Sequence, residues 1–75
     1  MISFLRGRIQ EKTAFSVVID VAGVGYECGV STATAASLPA PGEDVECTLF
    51  TRMQVRDDAL SLFGFATTDE RVVFD

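Results

Sequence analysis

The residues of this chain best suited to chemistry sit in QVRDDALSLFGF, residues 54–65, where Arg56 leads into two adjacent carboxylates, Asp57 and Asp58, and an apolar run follows. Paired carboxylates can hold Mg²⁺ or share in proton transfer. Either use needs partners from other elements, yet the chain has no histidine and its pattern brings no third carboxylate to the pair. Neighbours along a strand also face opposite sides of the sheet, so converging on one ion would need a special turn. Aspartate is a favoured turn residue, and on pattern alone an acidic turn between two strands is the better reading.

Other candidates are weaker. Cys28 and Cys47 lack the close paired spacing of a metal knuckle, and with no histidine most zinc sites and triads are removed. Cys28 runs in phase with Tyr26 and Val30, and Cys47 with Val45 and Leu49, which predicts two reduced core thiols in a cytosolic protein. A disulfide stays open, because spacing does not say whether the sulfurs meet. Gly23-Val24-Gly25 has the look of a phosphate loop, but no lysine follows and no helix opens there. Phe50, Phe63 and Phe65, with Arg52 and Arg56 nearby, could stack single-stranded bases. Six basic against eleven acidic residues leave a net charge of −5, which opposes a phosphate backbone and favours these rings in the core or at a subunit interface.

Seventy-five residues hold one domain with one modest core. A chain of this size buries roughly 60–65% of its unfolded surface, so a single copy is only marginally stable. The 48% hydrophobic content exceeds what so small a monomer easily hides, and self-association is expected. No run reaches the ~20 apolar residues of a membrane span or the length of a signal peptide, which predicts a soluble, cytoplasmic protein.

The elements that must position these residues are mostly strands. Residues 2–12 form a long, partly alternating strand with Gly7 where a bulge or bend is easy. Phe15, Val17, Ile19 and Val21 alternate with more polar residues in a second strand, ended by Ala22-Gly23. GVGYECGV, residues 23–30, is a third strand whose glycines leave one face bare for close packing. Residues 31–38 predict a short helix between a Ser31 cap and Pro39. A fourth strand spans residues 44–53, with Val45, Cys47 and Leu49 inward, and residues 52–58 form a hairpin connection. Residues 59–65 are the fifth strand. Thr67 and Glu70 then form a capping box that starts a helix. That helix stops after about two turns with Val72, Val73 and Phe74 on an apolar face, which predicts a fragment of a longer protein.

Five short strands with a helical turn between the third and fourth fit an all-β, Greek-key barrel of the oligonucleotide/oligosaccharide-binding (OB) type. A β-sandwich or an SH3-like barrel is the alternative, since strand order is not written in the pattern.

The motifs MISFLRGRIQEK, VAGVGYEC, LPAPGEDV, VRDDALSLFGF and TTDERVVF, in unbroken order over the whole chain, resemble the amino-terminal domain family of the RuvA proteins. The resemblance implies an OB barrel over residues 1–66 and, over 67–75, the start of a helix leading to an absent helix-hairpin-helix domain. It implies a Holliday-junction recognition subunit acting in branch migration, recombination and repair. Its partners would be four-way junction DNA, the ATPase RuvB through an absent C-terminal domain, and three further copies in a homotetramer. No cofactor is implied here, ATP and Mg²⁺ being used by the partner motor. Asp57 and Asp58 match the acidic pin that keeps junction strands apart, with Arg56 as a phosphate contact or pin support. A generic OB module binding single-stranded nucleic acid or protein is the alternative function.

Overall fold

The computed structural model describes residues 2–56, 59–69 and 71. Its elements are β1 (Phe4–Lys12), β2 (Ser16–Val21), β3 (Val24–Gly29), α1 (Thr32–Ser37), β4 (Cys47–Arg56) and β5 (Ala59–Phe65). The strands close into a barrel in the order β1-β2-β3-β5-β4, with β4 returning to β1. All ladders are antiparallel except the β3–β5 contact, Gly29↔Phe63. This closed five-stranded barrel with a helix between β3 and β4 is the OB arrangement rather than a sandwich.

Closure depends on β1 serving two neighbours. Phe4–Gly7 pair with Phe50–Cys47 of β4, and Arg8–Lys12 pair with Asp20–Val17 of β2. The register shifts between Ile9 and Glu11, so the bulge is at Gln10 and not at the expected Gly7. Gly7 has a different task. A Cβ there would fall on the carbonyl oxygen of Asp20, so the glycine admits the β2 backbone where β1 changes partners.

Strand alternation builds the core. Leu5 and Ile9 of β1, Val17 and Ile19 of β2, Cys28 of β3 and Leu49 of β4 meet inside the barrel, and Leu38 joins them from the end of α1. Ser31 caps that helix, its Oγ accepting the Thr34 N–H at 3.1 Å. Pro39 stops the helix, and Lys12 Nζ donates to the Leu38 carbonyl at 2.9 Å, tying its end to β1. The β2–β3 connection is two residues long, Ala22 (φ 52°) and Gly23 (φ 91°). Positive φ at both residues marks a type I′-like turn, and Asp20 Oδ1 accepts the Gly23 N–H at 2.8 Å to hold it.

Two residues expected inside are outside. Phe15 is 71% exposed, because β2 starts at Ser16 and Thr13 Oγ1 accepts the N–H groups of both Phe15 and Ser16 in the preceding turn. Val45 is 49% exposed, since β4 starts at Cys47 rather than at residue 44. The segment before it is held outward by the Pro41-Gly42 turn and by the Arg8–Asp44 ion pair at the surface. The expected bare face of β3 is filled at Gly29, where a Cβ would lie 3.2 Å from Phe63 Cδ1.

Candidate nucleic-acid interface

Strands β4 and β5 pair without interruption from Phe50↔Phe65 to Arg56↔Ala59. The expected connection over residues 52–58 is therefore mostly ladder, because Arg52–Arg56 find partners in β5. At about 3.4 Å per residue the ribbon carries Arg56 roughly 17 Å along β4 from Thr51, which is fully buried. Val55 shares the side of β4 that holds Leu49 and Thr51, yet it is 75% exposed, so this end of the ribbon stands clear of the core. Only Asp57 and Asp58 separate the last paired residues, and both lie outside the described residues, as does the side chain of Arg56.

A second feature emerges on the outer face of β1, β4 and β5. The registers Phe4↔Phe50 and Phe50↔Phe65 place three rings in one row, next to the row Leu5↔Leu49 that faces inward. These phenylalanines consequently lie outside the barrel, as do Phe63, which rests on Gly29, and Phe15. Of the two places expected for these rings, the core or a subunit interface, the core is ruled out: its residues are aliphatic or small, and no described phenylalanine is among them. Sequence reasoning missed the row because it depends on which strands are neighbours.

The basic side chains are largely engaged within the domain. Arg6 Nε donates to Thr48 Oγ1 at 3.2 Å, and its guanidinium stands 5.7 Å from the Phe4 ring centroid. Arg8 pairs with Asp44 at 2.5 Å in an exposed position, where such a pair contributes about 0–1 kcal/mol. Lys12 is bound to the Leu38 carbonyl, and Arg52 is also not free. Arg71 Nη1 donates to the Ser3 carbonyl at 2.9 Å with its guanidinium 5.9 Å from the Phe50 centroid. Of the six basic residues, only Arg56 has no described side chain. Arg71 was not singled out by the sequence, and its only signal there was its place in the predicted capping-box helix. Glu70, the other half of that box, lies outside the described residues.

Both cysteines are free thiols. Burial, reinforced by Glu27, pushes the Cys28 thiol up to about 11, and burial with Glu46 raises Cys47. Neither is a ready thiolate at neutral pH. Among the described residues, no three His, Cys, Asp or Glu side chains cluster to hold a metal ion. No helix among them is long and apolar enough to cross a membrane.

Closed strand order, aliphatic core and a projecting β4–β5 ribbon define an OB-type barrel domain. The family model described as the RuvA N terminal domain matches residues 1–64, and the chain belongs to that family. It is similar to the protein named Holliday junction branch migration complex subunit RuvA of Rubrobacter xylanophilus, with 52% identity over 75 residues, all of this chain and 37% of the relative. The protein of the same name from Neisseria meningitidis is 53% identical over 74 residues, covering 99% of this chain and 37% of its own. That of Symbiobacterium thermophilum is 51% identical over 75 residues, or 100% and 36%. The chain thus spans a little over a third of the length of the curated relatives it matches.

Proposed function

We propose that this domain is the first unit of a Holliday-junction recognition subunit, and that it acts on the junction by excluding phosphate from the crossover. The observation that carries this reading is identity of 51–53% over essentially the whole chain with proteins named for that complex. The uninterrupted β4–β5 ladder supports it, since it leaves Asp57-Asp58 as the whole connection at the exposed end of the ribbon.

In this reading the barrel spans residues 1–66, residues 67–75 begin the helix toward a helix-hairpin-helix domain, and Asp57 and Asp58 form an acidic pin. A carboxylate and a phosphate about 4 Å apart in water repel by about 1 kcal/mol, and more where the local dielectric falls. Four copies in a homotetramer would gather eight such carboxylates, so strands would be held apart at the centre and plain duplex across it would be disfavoured. The net charge of −5 fits this role. So does the engagement of the described basic side chains within the domain, because attraction to DNA would come from elsewhere in the full-length protein. Arg56 would contact a backbone phosphate or support the pin. The motor RuvB, working in the cytoplasm, would supply ATP hydrolysis.

A gel-shift comparison of the full-length protein on a four-way junction and on duplex of equal length tests the reading. Preference for the junction is expected. Equal affinity for the two would overturn it.

A further inference from the structure

Arg71 lies beyond β5 in a first helical turn, where its N–H donates to the Thr67 carbonyl at 3.4 Å. Its side chain reaches back to the place where the barrel closes. Nη1 donates to the Ser3 carbonyl at 2.9 Å, and the guanidinium faces the Phe50 ring with 5.9 Å to the centroid. That same carbonyl accepts the Thr51 N–H at 2.9 Å, and Thr51 Oγ1 donates to the Ile2 carbonyl at 2.7 Å. One guanidinium therefore touches both sides of the β1–β4 seam. Its Nε is enclosed, with no hydrogen-bond partner among the described residues.

A guanidinium kept for phosphate would hold its head in water. This head is only partly in water: its Nε is enclosed, while Nη1, at the surface, is held by a carbonyl beside an aromatic face, a planar arrangement that a lysine ammonium cannot reproduce. The contact also joins segments at opposite ends of the domain, since Ser3 and Arg71 are separated by 68 positions.

We propose that Arg71 is a positioning residue: it locks the turn after β5 onto the closing seam of the barrel, and so fixes the direction in which the chain leaves toward the DNA-gripping part of the full-length protein. The consequence for DNA rests on the junction-binding reading above, whereas the lock does not. A four-way junction must meet the ribbon tip and the phosphate grips together, and a fixed exit angle lowers the cost of ordering them on binding.

The test uses full-length protein with Arg71→Ala and Arg71→Lys. Amide hydrogen exchange followed by mass spectrometry reads the lock directly. Both variants should lose protection in peptides covering residues 66–75 by about tenfold or more, with β2 and β3 unchanged, as for local opening of a low-stability unit. Their preference for junction over duplex should fall by about tenfold, a size typical of residues that modulate coupling without touching ligand. The salt dependence of duplex binding should stay as in the wild type. Unchanged protection in Arg71→Ala overturns the lock. Lysine restoring junction affinity while alanine lowers the salt slope by about one also overturns it, in favour of a direct phosphate contact. If the wild type itself shows no junction preference, the junction reading fails and the exchange data alone decide the lock.

Discussion

Leu49 occupies the space that a side chain at Gly64 would need. A Cβ on Gly64 would lie 2.5 Å from Leu49 Cδ2 and 2.7 Å from its Cγ, and Leu49 is fully buried. The leucine of β4 thus lies flat across β5, using the missing side chain as part of its pocket. Gly64→Ala should force Leu49 against the core and destabilise the barrel by about 1–3 kcal/mol, the usual penalty for overpacking. For a domain of this size each kcal/mol lowers the melting midpoint by roughly 4–8 °C. Calorimetry of the variant checks this, and an unshifted midpoint would contradict so close an approach.

Thr51 holds the barrel seam by its hydroxyl. It is fully buried, and Oγ1 donates to the Ile2 carbonyl at 2.7 Å. Thr51→Val keeps the shape but removes the donor, leaving that carbonyl unmatched at a cost of about 1–3 kcal/mol. Urea unfolding should show a lower midpoint with an unchanged slope, since the exposed surface is the same.

Alkali should weaken the fold through Cys28. Its folded value of about 11 lies above the ordinary thiol value of 9.0, chiefly because the sulfur is buried and secondarily because of Glu27. Above pH 9 the unfolded chain gives up this proton while the folded chain keeps it. The unfolded state then binds fewer protons, so stability is full below pH 9 and declines as pH rises toward 11. The loss is on the order of 3 kcal/mol, about two pKa units at about 1.36 kcal/mol each. Cys28→Val should flatten this part of the stability curve. A curve as steep as the wild type's would show that other groups cause the decline.

Neutralising the acidic pair should loosen discrimination against duplex. In full-length protein, Asp57→Asn with Asp58→Asn should raise duplex affinity by about tenfold or more at low salt, taking about 1 kcal/mol per close carboxylate–phosphate pair. The gain should shrink as salt screens the charges. Titrations at two ionic strengths check it, and no gain at low salt would remove the repulsion account.

Much of this domain was legible along the chain. Period-two alternation marked β1, β2 and β4, a continuous apolar run marked β5 without showing its buried face, and Ser31 and Pro39 bracketed α1, because strand faces and helix caps are written in near neighbours. Alternation misled where apolar residues ran past the strand ends: Phe15 and Val45 kept the inward phase but lie in the segments before β2 and β4. Gly7 was visible as a special position, but the reason for it, the approaching Asp20 carbonyl, comes from thirteen residues away in another strand. For the candidate site, the sequence located the acidic pair between β4 and β5. The length of the ribbon beneath it became clear only from the pairing.

The sequence by itself determined the kinds of element, their order, the acidic balance and the family, since each depends on residue types and short spacings. Tertiary structure alone decided the closure β1-β2-β3-β5-β4, the outward row Phe4, Phe50 and Phe65, and the return of Arg71 to Ser3. These are contacts between residues far apart in the chain, and which strands become neighbours is settled by packing one shared core.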